Sequence, residues 1–318
     1  VPANDAAPES SRPFDLIAFD LDGTVFASPN NQLVSPRVYA AFQAAHDSGA
    51  LVAVASGRPL WMIGEQIPEA PWLDYAITCN GARVVGTRRS DLDFSHSIPR
   101  PLAEKLLALI TEYGGTGSIH TDVESLMEKR HCEKIAQDLA ERDAKTDDAA
   151  AHSGSPASNE GRGNPIDAVL SLFSGSGVDS MLDAFLARPT QQLDKVDCTM
   201  PSSESADKLI AKLTELGGIG IARMDAKTPE FTSAAASKGA ALVELCRRLG
   251  IDPSRAVAFG DSGNDLSMCG RGITFVAMGN ATAEVKAAAD DQTDTVWEDG
   301  VATWLEPRLG ISAPEASA

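Results

Sequence analysis

The sequence predicts an α/β fold: a doubly wound, Rossmann-like parallel sheet with a second, α+β domain inserted into it. Three observations carry this reading. Short apolar runs such as Leu51-Val52-Ala53-Val54-Ala55 alternate with helical patterns near the start of the chain, as βαβ units require. The same style returns after Ser237. Between the two stretches the pattern changes to hairpins, longer helices and a run of small polar residues.

Phe14-Asp15-Leu16-Ile17-Ala18-Phe19 reads as the first buried strand, stopped by a turn at Gly23-Thr24. Ser35 and Pro36 open a helix as N-cap and first-turn proline, with Val38, Ala41, Phe42 and Ala45 on its apolar face. Leu51–Ala55 is the second strand and ends in Ser56-Gly57-Arg58-Pro59. A helix over 59–67 leads to a third strand, Tyr75–Cys79, ending at Asn80-Gly81. Residues 82–86 and 92–98 read as a hairpin. A helix follows over 101–113, a strand around Ser118-Ile119-His120, and a charged, partly helical stretch over 124–144. Residues 145–165 contain no large apolar residue and predict a disordered insertion. Strands at 168–173, 195–200, 219–224 and 230–234 and helices at 178–187 and 205–216 complete the inserted region.

From Ser237 a helix carries Leu242, Leu245, Cys246 and Leu249 and stops at Gly250. Strands at 256–259, 273–277 and 295–297 follow, with helices at 283–289 and 301–309. The domain assignment is therefore a tail over 1–12, a core over 13–83 and 233–310, an inserted domain over 84–232, and a tail over 311–318.

Composition narrows the function. Lys plus Arg total 27 against 45 Asp plus Glu, a net charge of −18. Such a surface repels nucleic acid and anionic membranes. It also repels a phosphorylated ligand, so an anion site needs its own metal or lysine. Five scattered cysteines without C-x-x-C spacing signal neither a zinc site nor a disulfide framework, and fit free thiols in a reducing compartment. No apolar run approaches the ~18 residues of a membrane helix. The opening Val1-Pro2-Ala3-Asn4-Asp5 lacks the basic and apolar regions of an intact signal peptide. The expectation is a cytoplasmic protein, and nothing in the sequence speaks to oligomeric state.

Four stations fall at strand ends or helix starts. They are Asp20 and Asp22, Ser56-Gly57, Lys238, and Asp261 to Asp265. Right-handed crossovers bring such ends to one edge of a parallel sheet. Asp20 and Asp22 alone also fit mere turn-capping aspartates. All four together suit phosphoryl transfer. An aspartate, with a reference pKa of ~3.9, is ionised and can attack without activation. Crowded hard-oxygen ligands select Mg²⁺. Asp22 is placed to protonate a leaving alkoxide and then deprotonate water. The Ser56 hydroxyl, the Gly57 amide and Lys238 suit phosphate oxygens.

These residues resemble the haloacid dehalogenase superfamily, and within it the Cof-type phosphatases with a large α+β cap. The resemblance rests on Asp20-Leu21-Asp22-Gly23-Thr24, Ala55-Ser56-Gly57-Arg58-Pro59, Ser237-Lys238-Gly239-Ala240-Ala241-Leu242 and Gly260-Asp261-Ser262-Gly263-Asn264-Asp265-Leu266-Ser267-Met268. Met278-Gly279-Asn280-Ala281 and Glu298-Asp299-Gly300-Val301 extend it. It covers residues 14–81 and 236–306. The resemblance implies that Asp20 is the nucleophile and forms an aspartyl-phosphate. Asp22 would be the general acid/base and lend its carbonyl to the metal. Ser56 and Lys238 would hold phosphate, Asp261 would ligate Mg²⁺, and Asn264 and Asp265 would support the metal or phosphate. Asn80 would lie near the substrate, and Arg58 would be structural rather than catalytic. The expected activity is Mg²⁺-dependent hydrolysis of a small phosphorylated metabolite such as a sugar phosphate, gated by cap movement. A phosphomutase of the same fold and a catalytically silent binding protein are the alternatives. In the inserted domain His120, Arg130 and His131 read as solvated surface residues. The tryptophans at 61, 72, 297 and 304 read as core.

Overall fold

The computed structural model describes residues 12–28, 32–89, 92–137 and 177–311. The expected insertion at 145–165, the strand at 168–173 and nearly all of both tails lie outside the described residues. In chain order the elements are β1 (Leu16–Phe19), α1 (Pro36–Asp47), β2 (Leu51–Ala55), α2 (Gln66–Glu69), β3 (Tyr75–Thr78), β4 (Arg83–Gly86), β5 (Asp93–Ser95) and α3 (Arg100–Glu112). Then come β6 (Thr116–Thr121), β7 (Ser125–Met127), α4 (Met181–Leu186), β8 (Leu193–Thr199), α5 (Ser203–Leu216), β9 (Ile219–Arg223) and β10 (Pro229–Ser233). The chain finishes with α6 (Lys238–Leu249), β11 (Ala256–Gly260), β12 (Thr274–Ala277), α7 (Ala283–Ala288), β13 (Asp291–Gln292) and α8 (Gly300–Leu309).

Two compact units emerge, 1–96 with 235–318 and 97–234. The first holds a sheet of order β13-β12-β11-β1-β2-β3-β4-β5. It is parallel from β13 to β3, and the β4–β5 hairpin adds antiparallel to β3. The hairpin therefore belongs to this unit, not to the inserted one as the boundary at 83/84 would have it. The cause is local: the Asn80-Gly81 turn folds β4 straight back along β3. β1 lies between β2 and β11 and is fully buried, which explains its unbroken apolar run.

Local chemistry sets the element ends. Ser35 accepts a hydrogen bond from the Val38 amide at 3.2 Å and Pro36 starts α1, so the predicted cap forms. Val38, Ala41, Phe42 and Ala45 are buried, and Phe42 stacks on Phe19 of β1 with ring centroids 4.4 Å apart. Ser237 caps α6 through the Ala240 amide, and Gly250 ends it in a left-handed conformation. Two readings are corrected. Residues 296–298 form a single 3₁₀ turn, because Thr295 and Glu298 close a reciprocal capping box; the edge strand is β13, further back. Trp72 and Trp304 are core, but Trp61 and Trp297 are exposed.

The second unit is an antiparallel sheet of order β7-β6-β8-β10-β9. Alternation splits its two faces. Ile119, Leu126, Val196 and Phe231 pack with Leu106, Ile110, Phe185, Leu209 and Leu213 of α3, α4 and α5. Most alternate positions on those strands are polar. There His120 Nε2 contacts Asp197 Oδ2 at 2.7 Å, and its Nδ1 meets the Ser125 hydroxyl. Lys195 Nζ lies 2.8 Å from Asp197 and 3.0 Å from Glu230. Burial pushes the Asp197 carboxyl up, but Lys195 and His120 outweigh it and hold the group below its ordinary value. His120 and His131 are buried, contrary to the surface reading, and Arg130 binds Glu128. No helix among the described residues is long and apolar enough to cross a membrane.

Candidate active site

The parallel strands of the first unit deliver the predicted residues to one sheet edge. Asp20 follows β1, and its amide donates to the Phe259 carbonyl of β11 at 3.0 Å. Asp261 follows β11 directly. Lys238 begins α6 and is fully buried. Its Nζ lies 2.8 Å from Asp20 Oδ1 and 2.8 Å from Asp265 Oδ1. Asp265 Oδ2 accepts the amides of Asp261 and Ser262, each at 3.0 Å. Asp265 thus ties the ammonium to the loop that carries Asp261.

Asp20, Asp261 and Asp265 each offer an oxygen, and these oxygens lie within 4.8 Å of one another. Three carboxylates face one ammonium, so the ionised cluster is two charges negative. Burial, with Asp265 adding repulsion, pushes Asp261 up to about 7 against the opposing pull of Lys238. Burial and Asp265 likewise push Asp20 up. Burial alone would lower Lys238, but Asp20 and Asp265 outweigh it and raise the group to about 12. Asp261 Oδ1 is buried with no hydrogen-bond partner among the described residues. A divalent cation fits this donor set: hard oxygens, an excess of two negative charges and an orphaned carboxylate oxygen.

Gly23 is required beside that oxygen. Its φ is +80°, and a Cβ there would stand 2.3 Å from Asp261 Oδ2. Asn280 holds the same turn. Its Nδ2 donates to the Gly23 carbonyl at 2.8 Å, and its Oδ1 accepts the Val296 amide at 2.9 Å. The sequence marked Asn280 as part of a motif without indicating this tether.

Ser56, buried at the end of β2, accepts the Arg58 amide on its Oγ at 3.2 Å and keeps its own proton to donate. A Cβ on Gly57 would lie 2.9 Å from Asn80 Oδ1, so only glycine leaves this space open. Cys79 and Asn80 have φ of 50° and 55°, two successive left-handed residues without glycine's freedom. That turn directs the Asn80 amide to the Ser56 carbonyl at 3.0 Å. It also lets Asn80 Oδ1 accept Asn264 Nδ2 at 3.1 Å. The second and fourth sequence stations are thereby joined. Gly81, with φ +90°, completes the turn, and a Cβ there would stand 2.2 Å from the Ser237 carbonyl at the head of α6. Gly81→Ala is expected to cost about 2–4 kcal/mol, read as a lower urea midpoint with an unchanged slope.

Asp22 stands apart from the acidic cluster. Its half-exposed carboxylate takes two hydrogen bonds from Arg58, Nε to Oδ2 at 2.8 Å and Nη2 to Oδ1 at 2.5 Å. This pairing is not legible in the sequence, since 36 residues separate the two.

The haloacid dehalogenase-like hydrolase family model matches residues 17–305. The chain belongs to the haloacid dehalogenase-like hydrolases. Among curated members of that family, it is 25% identical over 287 residues to the 5-amino-6-(5-phospho-D-ribitylamino)uracil phosphatase of Bacillus subtilis strain 168, covering 90% of this chain and 92% of the relative. It is 26% identical over 279 residues to the HMP-PP phosphatase of Cronobacter sakazakii, covering 86% of each. A solved haloalkanoate-superfamily phosphatase from Bacteroides thetaiotaomicron superposes with a TM-score of 0.72 at 22% identity, over 98% of this chain and 100% of that one. A solved sugar phosphatase of subclass IIB gives 0.68 at 20% identity, over 92% and 98%. The relatives named are phosphatases, and the family match spans both motif-bearing stretches, 14–81 and 236–306, almost entirely.

Proposed function

We propose that the chain is a Mg²⁺-dependent phosphatase that hydrolyses a small phosphorylated metabolite, a sugar phosphate or similar organophosphate, through an aspartyl-phosphate. The observation that carries this reading is the buried Asp20 carboxylate, held by Lys238 beside two further carboxylates at the sheet edge. Asp20 attacks phosphorus, and its new P–O bond forms as the ester P–O bond breaks. Asp22 passes a proton to the departing alkoxide. It then takes a proton from water, which attacks the phosphoryl group and releases Asp20 and inorganic phosphate. Lys238, the Ser56 hydroxyl and the Gly57 amide hold phosphate oxygens, and Asn264, steadied by Asn80, closes that side of the cradle.

Mg²⁺ would be held by the carboxylates of Asp20 and Asp261 and the carbonyl of Asp22. When bound it would offset the phosphate's charge and polarise the phosphoryl group. Both oxygens of Asp265 already serve Lys238 and the loop amides, so it supports the site through them. The acidic surface makes this local positive charge necessary. The names of the relatives point the same way, since each describes a phosphatase of a small organic phosphate. The test is phosphate release from a panel of phosphorylated metabolites with Mg²⁺ and with chelator. Release from one or more sugar-type esters, lost on chelation, is expected. Undiminished turnover after thorough chelation overturns the metal assignment, and silence across the panel overturns the substrate class.

The cluster also predicts a pH dependence. Asp20 and Asp261 titrate higher in the folded chain than at the ordinary 3.8. Their contribution to stability is therefore full below the unfolded value and is lost as pH rises through about 7. A cation prefers the ionised form and displaces those protons. Mg²⁺ is expected to raise the melting temperature more at about pH 8 than at about pH 5.5, as thermal melts with and without the ion would show.

A further inference from the structure

We infer that Arg58 is a positioning residue for the reaction, acting by fixing the carboxyl of Asp22. The inference rests on the assignment of Asp22 as general acid/base. Asp22 is the one predicted site carboxylate outside the acidic cluster, and its side chain is 46% exposed. Nothing in its own turn fixes its rotamer: the backbone there is spent on Gly23 N to Phe26 O and on Val25 and Phe26 N to Leu21 O. Arg58 supplies what the turn lacks. Its Nε and Nη2 form a planar fork on the two oxygens, the geometry that only a guanidinium offers a carboxylate.

Arg58 is itself held on three sides. Its Nη1 donates to the Met62 carbonyl at 2.9 Å, its amide donates to Ser56 Oγ at 3.2 Å, and its carbonyl accepts the Cys79 amide at 2.9 Å. The guanidinium carbon lies 5.6 Å from the centre of the Phe26 ring, on the loop that carries Asp22. The same residue therefore touches the phosphate-side hydroxyl of Ser56 through its backbone and the proton-transfer group through its side chain. Without the fork, no group of the turn among the described residues holds the Asp22 carboxyl in one place, and it is free to swing toward the carboxylate cluster of Asp20, Asp261 and Asp265 or out to solvent. With it, one lone pair on each oxygen is occupied and one on each is left for a proton. A one-ångström error in such a group is costly, since proton transfer demands hydrogen-bond reach of the reacting oxygen.

The test compares kcat/KM for two esters, glycerol 2-phosphate, whose alkoxide must be protonated to leave, and 4-nitrophenyl phosphate, whose phenolate leaves unaided. The proteins are wild type, Arg58→Ala, Arg58→Lys, Asp22→Asn and the Arg58→Ala/Asp22→Asn pair, each with Mg²⁺. Arg58→Ala is expected to lose at least about tenfold on the alkyl ester and less than about threefold on the aryl ester. Lysine, which keeps the charge but not the fork, is expected to recover only part of the loss. In the Asp22→Asn background the arginine substitution is expected to add less than about twofold. Should Arg58→Ala fail to fold, Arg58→Lys carries the same two-ester comparison. Equal losses on both esters for the Arg58 variants, with Asp22→Asn still discriminating between them, overturn the inference alone. Equal losses for Asp22→Asn as well overturn the assignment of Asp22 and the inference with it.

Discussion

Asp20→Asn is expected to lower phosphatase turnover by at least about 10³-fold while raising the melting temperature of the metal-free protein. The amide cannot form the acyl phosphate, yet it matches the carboxylate in shape and size. Lys238 stays paired, because Asp265 Oδ1 remains 2.8 Å away. What goes is one of three crowded negative charges, in a place where burial and Asp265 already press Asp20 toward its neutral form. The relief is worth on the order of 1–2 kcal/mol, or a few degrees. Phosphate release from 4-nitrophenyl phosphate and melts in chelator would read the two effects. Normal turnover in this variant is the outcome incompatible with Asp20 as nucleophile.

Lys238→Met is expected to do the reverse to stability and the same to activity. The ammonium is fully buried and is bound by Asp20 and Asp265. Methionine fills the stem but leaves those carboxylates without their counter-charge. Removing one partner of a buried ion pair typically costs about 3–5 kcal/mol, here a fall of roughly 10 °C. The deficit should shrink as pH falls and the carboxyls take up protons, and it should shrink on adding Mg²⁺, which supplies charge to the same oxygens. Melts at two pH values with and without the ion check this. A deficit independent of both would mean that Lys238 acts through packing alone.

The core was legible because its chemistry is written at strand ends. Parallel strands buried on both faces read as plain apolar runs, and the turn after each is short, so Asp20, Ser56, Asn80 and Asp261 could be placed from local sequence. Ser35 and Ser237 announced α1 and α6 by capping chemistry alone. Contacts that depend on which strand lies beside which were not legible. The Arg58–Asp22 fork and the Asn80–Asn264 bond join residues 36 and 184 positions apart. His120 reads as a surface residue because its carboxylate partner, Asp197, sits on a strand more than seventy residues away. The hairpin of β4 and β5 was assigned to the wrong unit because period-two alternation names a strand but not the sheet it joins. Trp61 and Trp297 are exposed despite apolar sequence neighbours, because an apolar neighbourhood in sequence does not fix the side a chain presents.

The tether from Asn280 to Gly23 carries a consequence for how the molecule comes into being. The proposed nucleophile lies at residue 20, but its strand needs β11 on one flank, some 240 residues later, and its turn needs Asn280 and Val296. Pairings of such separation form slowly and late. A ribosome-bound chain that has not yet reached residue 238 holds the Asp20 carboxylate with neither Lys238 nor Asp261. Asp20, Lys238 and Asp261 therefore come together only after the chain beyond residue 261 has been made, and a shorter chain lacks the arrangement on which the proposed chemistry rests.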